Sequence, residues 1–507
     1  MFKRLNKKNA GKDRAVEKSG LTKSLDENVK LFQEVLKDDE TLVIRRLNNK
    51  YLKSARFALI YFEGMIKPDI INENIIRPLI QQNLKEEILE NNLVEELRQK
   101  IIAASDVFET RDIYQVCGAL AYGDTVLIVD GFDSVLVINS KGWHTRGIEE
   151  PLSEKIVRGP REGFNESIMM NLSLIRRKIK NPGLKIQFRE IGVQTRTKVC
   201  ICYLEGTACE KIVEELRHRL DKIDIDGILD SGYIQELIRD EPFSPFDTIG
   251  ITERPDIAAA KLLEGRIALL VDGSPFALTL PFLFIEYFQT NEDYYNNYFF
   301  GSVNRLLRVA AGLLSIAVPA IYVALVTFHQ EMIPTPLLLS ISAARQGVPF
   351  PTIVEALLML TVFELLREAG TRIPTTVGQA VSIVGALVLG QAAVDARFVS
   401  APIVIIAAFT GITALLSIKS QGAAIFFRLV FLFLGSMIGV FGIIFSFLGL
   451  IIHLMSLRSF GVPYMLNISS LKGQDVKDTA IRAPWWHMRL RPPLIAAKNM
   501  ERQKKAN

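Results

Sequence analysis

Between Val303 and Leu457 the chain carries only 8 basic and 5 acidic residues in 155 positions. The other 352 residues are charged about three times in ten, so the overall 23% charged and 49% apolar composition averages two different solvents. A stretch this poor in charge, with apolar runs near 20 residues, meets the requirement for crossing roughly 30 Å of hydrocarbon. The fold class that follows is a soluble mixed α/β N-terminal region of two subdomains, then a polytopic α-helical membrane domain of about five spans. The spans are expected near 305–328, 351–367, 375–393, 399–418 and 424–456.

Charge also marks the ends. Residues 1–24 hold 8 basic and 2 acidic groups, and residues 458–507 hold 10 and 3. The first segment reads as a basic disordered arm, either solvated or resting on anionic headgroups. With the basic excess confined to two tails, no nucleic-acid partner is expected. Four cysteines in 507 residues exclude a disulfide scaffold. Cys200 and Cys202 alternate in TKVCICYLEG and read as buried, reduced thiols on one face of a strand. The N-terminus has no apolar core of a signal peptide, so the soluble region is expected on the cytoplasmic side.

Residues 25–150 read as one α/β subdomain. Ser24 is a helix N-cap with Glu27 three positions on. TVLIVDGFDSVLVIN reads as a hairpin about Asp130-Gly131-Phe132-Asp133. Residues 151–281 read as a second subdomain of helix, two strands, helix and further short elements. Residues 282–302 carry nine aromatics in FLFIEYFQTNEDYYNNYFF and read as an interfacial elbow delivering the chain to lipid. Arg305 and Arg308 open the first span from the cytoplasmic face. MIPTPLLLSISAARQG, fenced by Pro334, Pro336 and Arg345, is too short to cross and reads as re-entrant. The last candidate, with Gly435, Gly439, Gly442 and Gly449, is either one overlong helix or two short ones. Five spans would leave the basic tail outside, whereas its charge argues for inside, so the side of the tail stays open.

Ionisable groups inside lipid mark a pathway or a partner. At 100° per residue Glu355, Met359, Val362 and Leu366 share one stripe, which reads either as a cation pore with an apolar gate or as a packing face. Glu364 faces the other way and is expected to pair with Arg367 or with an Arg on a neighbouring helix. Arg428 is such a partner or a snorkelling flank. Gln379 and Gln391, with Gly378, Gly385 and Gly390, form a close-packing pattern of a multi-helix assembly. No phosphate loop, nucleophile elbow or metal-spaced histidine set is present, so no enzyme activity, cofactor or metal is expected.

Two stretches, GPREGFNESIMMNLSLIRRKI (159–179) and FELLREAGTRIPTTVGQAVSIVGALVLGQAAVDA (363–396), resemble the GerA family of spore germination proteins. More narrowly they resemble the A subunits of nutrient germinant receptors. The resemblance covers nearly the whole chain. It implies a multi-pass protein of the spore inner membrane that forms a homo-oligomeric ring and conducts monovalent cations. Its implied partners are a transporter-like B subunit, which holds the nutrient, and a lipoprotein C subunit. The matching motif residues are Gly159, Pro160, Arg161, Glu162, Gly163, Arg367, Glu368, Gly370, Arg372, Pro374, Gly378 and Gln379. Glu162 and Glu166 are expected near a helix start, and Arg367, Glu368 and Arg372 at a membrane boundary tying neighbouring subunits. The alternatives are a transporter of a small solute, or a non-nutrient relative of the same family acting as channel or scaffold.

Overall fold

The computed structural model describes residues 20–36, 39, 41–52, 54–63, 65–82, 93–102, 106–142, 147–151, 153–372, 390–466, 478–491, 494–496 and 500–502. The chain divides into two units, Met1–Thr145 and Arg146–Asn507. The arm at 1–24 therefore lies outside the described residues up to Lys18 and Ser19, and so does most of the candidate span at 375–393.

In the first unit, α1 (Leu25–Val35) is capped by Ser24, whose side chain accepts from Glu27 N. Five strands follow in an antiparallel sheet: β1 (Leu42–Asn48), β2 (Arg56–Phe62), β3 (Val107–Thr110), β4 (Thr125–Val129) and β5 (Val135–Ile138), in the order β1-β2-β4-β5-β3. Between β3 and β4 runs α2 (Ile113–Ala121). The β4–β5 hairpin pairs Thr125 with Ile138, and Gly131 supplies the positive φ its turn needs. Both faces are apolar, as strict alternation shows. Phe57, Leu59, Leu127 and Leu136 face helical segments at Ile70–Ile76, Arg77–Gln81 and Leu93–Glu96. Ala58, Ile60, Val126 and Val137 face α1 and α2.

The second unit contains another five-stranded antiparallel sheet. Its elements are α3 (Ile168–Lys178), β6 (Leu184–Ile191), β7 (Thr197–Leu204), α4 (Glu210–Asp221), α5 (Ser231–Ile238), β8 (Gly250–Thr252), α6 (Pro255–Leu263), β9 (Ile267–Val271) and β10 (Ala277–Leu280). The strand order is β6-β7-β9-β10-β8. Cys200, Cys202, Ala268 and Leu270 meet α3 and α6. The two thiols are buried and free, with their Sγ atoms 3.7 Å apart. The opposite face, Val199, Ile201, Leu269 and Leu278, belongs to a larger apolar cluster that continues into the helices.

Those helices are α7 (Tyr298–Phe328), α8 (Thr335–Arg345), α9 (Thr352–Arg372), α10 (Ala401–Leu415), α11 (Gln421–Ile438) and α12 (Val440–Ser456). Among the described residues two helices are long and apolar enough to cross a membrane, Tyr298–Phe328 and Ile418–Ile438. The 31 residues of α7 extend about 46 Å. The apolar α10 and α12 are shorter, at 15 and 17 residues. The candidate at 424–456 is two helices. Gly439, at φ +68° and ψ −143°, turns the chain back, and α11 packs on α12. A Cβ at Gly439 would lie 2.7 Å from His329 Nε2, so the turn sits at the far end of α7. The other ends of this hairpin return to the sheet. Lys419 Nζ is 2.7 Å from Glu154 Oε1, and His453 Nε2 is 3.0 Å from Ser244 Oγ.

The aromatic stretch at 282–302 divides. Phe282, Tyr287 and Phe288 are buried in the cluster shared by sheet and helices, and Phe284 packs edge-on against Phe288 and Tyr464. Phe299 and Phe300 are exposed at the base of α7. The first half is therefore core rather than an elbow lying on lipid. Its partners Phe246, Phe427 and Tyr464 lie far off in sequence.

Gly439→Ala places a side chain in backbone space reserved for glycine. The expected cost is about 1–3 kcal/mol, read as a lower unfolding temperature of the detergent-solubilised protein. The same change at Gly449, where a Cβ meets nothing within 4 Å, is expected to be tolerated.

Candidate functional site

Among the described residues, charged groups withdrawn from solvent in the helical half are concentrated at three places. The first is at the base of α7. Arg305 is 0% exposed and donates from Nε to Asp293 Oδ2 at 3.1 Å and from Nη1 to Asp478 Oδ1 at 2.7 Å. It also meets the carbonyls of Asp478 and Thr479 at 3.0 and 3.1 Å. Arg308 shares Asp293, at 2.5 Å, and donates to Phe288 O. Tyr294 donates to Asp478 and lies under the Arg305 guanidinium. Burial pushes the Asp478 carboxyl above its ordinary pKa, against the pull of Arg305. Read from sequence, Arg305 was only a basic flank, because Asp478 lies 173 positions away.

The second place ties three helices. Glu364 on α9 meets Arg367 at 2.7 Å and Arg428 on α11 at 2.9 Å. Arg428 is buried and also donates to Ser315 O of α7 at 2.8 Å. Glu364 thus faces the bundle with two cations, and Arg428 is an internal partner rather than a snorkelling flank.

The third surrounds Glu355, which is 0% exposed. Its Oε2 accepts from Ser400 N at 2.8 Å, at the residue preceding α10, where a carboxylate complements the helix dipole. Arg345 Nε lies 3.6 Å from Oε1. Glu355 Oε1, the Ser400 hydroxyl and the Tyr322 hydroxyl are buried without a hydrogen-bond partner among the described residues. Within one chain this carboxylate is enclosed rather than set at an open mouth. Met359, Val362 and Leu366 are half-buried, while Val354, Leu357 and Leu365 form the exposed face of α9.

The remaining sequence candidates are placed as follows. Glu368 and Arg372 pair at 2.7 Å on the exposed surface. Gly370 is half-buried and Gln391 exposed. Pro374, Gly378 and Gln379 lie outside the described residues. In the 159–163 loop, Gly159 takes a φ of +141°, and Pro160 O accepts from the buried Arg254 at 2.8 Å. Arg161 is exposed, and Gly163 N donates to Glu149 O. Glu162 does not serve the start of α3. It reaches the last turn, 3.0 Å from Arg177 and 3.2 Å from Lys178. Partial burial alone would raise its pKa, but these two cations hold it below the ordinary value. The loop therefore braces the helix it precedes.

Over residues 30–494 the chain matches the family described as Bacillus/Clostridium GerA spore germination protein. It is 42% identical over 487 residues to spore germination protein KA of Bacillus subtilis (strain 168), covering 96% of this chain and 89% of that protein. It is 43% identical over 444 residues to the uncharacterized membrane protein YfkQ of the same organism, covering 87% and 86%. Among solved structures, the N-terminal domain of the A subunit of the Bacillus megaterium spore germinant receptor GerK3 is 37% identical. That match covers 52% of this chain and 98% of that one, with a TM-score of 0.22.

Removing Glu364 strands buried Arg428. Glu364→Ala is expected to destabilise the solubilised protein by about 3–5 kcal/mol. Glu364→Leu combined with Arg428→Leu is expected to recover most of that loss in the same thermal unfolding measurement. Equal losses in both variants would contradict the pairing.

Proposed function

Because the chain belongs to the Bacillus/Clostridium GerA spore germination family, we propose that it is the A-type membrane subunit of a germinant receptor. In this reading copies of the chain assemble as a homo-oligomer in the spore inner membrane and conduct monovalent cations when nutrient is sensed. The nutrient is held by a transporter-like B-type subunit, with a lipoprotein C-type subunit as the third component. The observation that carries the reading is the set of buried and half-buried charges that pair within a helical half otherwise poor in charge. Glu355, Glu364, Arg345 and Arg428 stand in apolar helices, where an ionisable group is costly unless it serves a path or a partner.

The proposed path runs along α9. Met359, Val362 and Leu366 are half-buried in one chain and form an apolar constriction once neighbouring copies close around them. The Glu355 cluster latches the start of α9 to the start of α10 and sets the resting position of that constriction. The proposed topology starts α7 on the cytoplasmic side and returns α12 to it. This gives an even number of crossings and places the basic tail with the soluble region.

The test is cation flux from proteoliposomes holding the purified oligomer. Val362→Ala is expected to raise basal potassium leak severalfold by widening the apolar constriction. Glu355→Gln is expected to raise it by loosening the latch. Wild-type flux from both variants, with assembly intact, would contradict the proposed path.

A further inference from the structure

The turn that follows α5 holds one apolar side chain out of the fold. Phe243 is 98% exposed, more than any other large apolar side chain among the described residues. Its backbone is nevertheless tightly framed. Pro242 and Pro245 fix φ on either side of the Phe243-Ser244 pair. Ser244 N donates to Glu241 O at 3.2 Å and closes a turn with Pro242 and Phe243 at its centre. Arg239 Nη2 donates to the carbonyls of Ser244 and Phe246 at 2.6 and 3.2 Å. A large ring presented on so fixed a frame, and used by no core, marks a surface that meets something apolar.

The frame is fixed to the base of the α11–α12 hairpin. Ser244 is buried, and its Oγ lies 3.0 Å from Nε2 of His453, in the last turn of α12. Phe246 is buried too, its ring centroid 5.4 Å from that of Phe427 on α11 and 6.1 Å from that of His453. These contacts set the height of Phe243 along the hairpin. Outward side chains of the same helix turns, Phe426, Ile452 and Met455, are also exposed and apolar. The inference rests on the reading of α11 and α12 as membrane helices, in which those side chains face acyl chains. An aromatic ring at that height, directed away from the protein, meets the boundary between acyl chains and headgroups. Glu241, two positions earlier, is exposed. Its charge keeps the rest of the turn in water, so immersion is shallow and limited to the ring.

We propose that Phe243 is an interfacial anchor, whose ring enters the bilayer at the headgroup boundary and fixes the height of the second sheet above the membrane. The partner of this surface is lipid, not a second protein.

The test uses the full-length protein in phosphatidylcholine nanodiscs, with Cys117 and Cys209 changed to Ser. Single nitroxide labels are placed through Phe243→Cys, Leu448→Cys and Glu236→Cys. Accessibility to oxygen, which concentrates in lipid, is compared with accessibility to a water-soluble nickel chelate. Leu448, exposed near the middle of α12, is the lipid reference, and Glu236, exposed on α5, is the aqueous one. The oxygen-to-nickel ratio at 243 is expected to exceed that at 236 severalfold and to stay below that at 448. A ratio at 243 equal to that at 236 would place the ring in water and overturn the proposal. Shielding of 243 from both reagents would assign it to a contact with a second copy and overturn the proposal as well. A ratio at 448 as low as that at 236 would contradict the membrane reading itself, and the anchor with it, so the two failures are told apart.

Discussion

The helical half depends on the neutralisation of Arg305. A guanidinium removed from water at the start of an apolar helix is tolerable only if its charge is matched by anions close to it. Asp293 approaches from the turn before α7, and Asp478 approaches from the tail. Each would leave a buried charge behind if it withdrew, and Gln289 donating to Asp478 O and Arg482 donating to Asn296 O add further ties between them. The base of α7, the turn and the tail are therefore fixed together. The same logic continues toward the sheet. Glu286 is buried between Arg266 and Lys261 and also accepts from Leu283 N, so the chain leaving β10 is held by charge before it reaches the helix.

Packing reinforces what charge fixes. One apolar cluster contains Leu269 and Leu278 of the sheet, Phe282 and Phe288 of the connecting stretch, and Phe427, Phe431, Leu450 and Leu454 of the α11–α12 hairpin. Sheet and helices thus share a core instead of being joined by a hinge. In the proposed receptor, a movement of the soluble face would displace helix ends directly. The tail adds a second clamp. Ser459 bridges Phe282 N and Thr248 O, and the Tyr464 hydroxyl donates to Asp247 O.

Much of this was legible in sequence, for local reasons. The charge-poor stretch, the β4–β5 hairpin and the Ser24 cap depend on residues within a turn or two of one another. Glu364 was readable as a paired carboxylate because Arg367 lies three positions on. The surroundings of Glu355 were not readable, since Ser400 and Arg345 are set by packing rather than by period. Of four glycines in the last apolar run, only Gly439 takes a positive φ, and composition gives no sign of which one turns the chain. The rings at 282–288 looked interfacial because aromatic density is the same in a core and at a membrane surface. Only their distant partners distinguish the two.

The central claim is that α7 leaves the face occupied by the second sheet and that the tail returns to it. Single cysteines at exposed Leu229, Ile481 and Met332 test it, with Cys117 and Cys209 changed to Ser. A membrane-impermeant maleimide is applied to sealed vesicles of known orientation. The account expects positions 229 and 481 to be labelled from one face and position 332, beyond the end of α7, from the other. Labelling of 481 and 229 from opposite faces would contradict it.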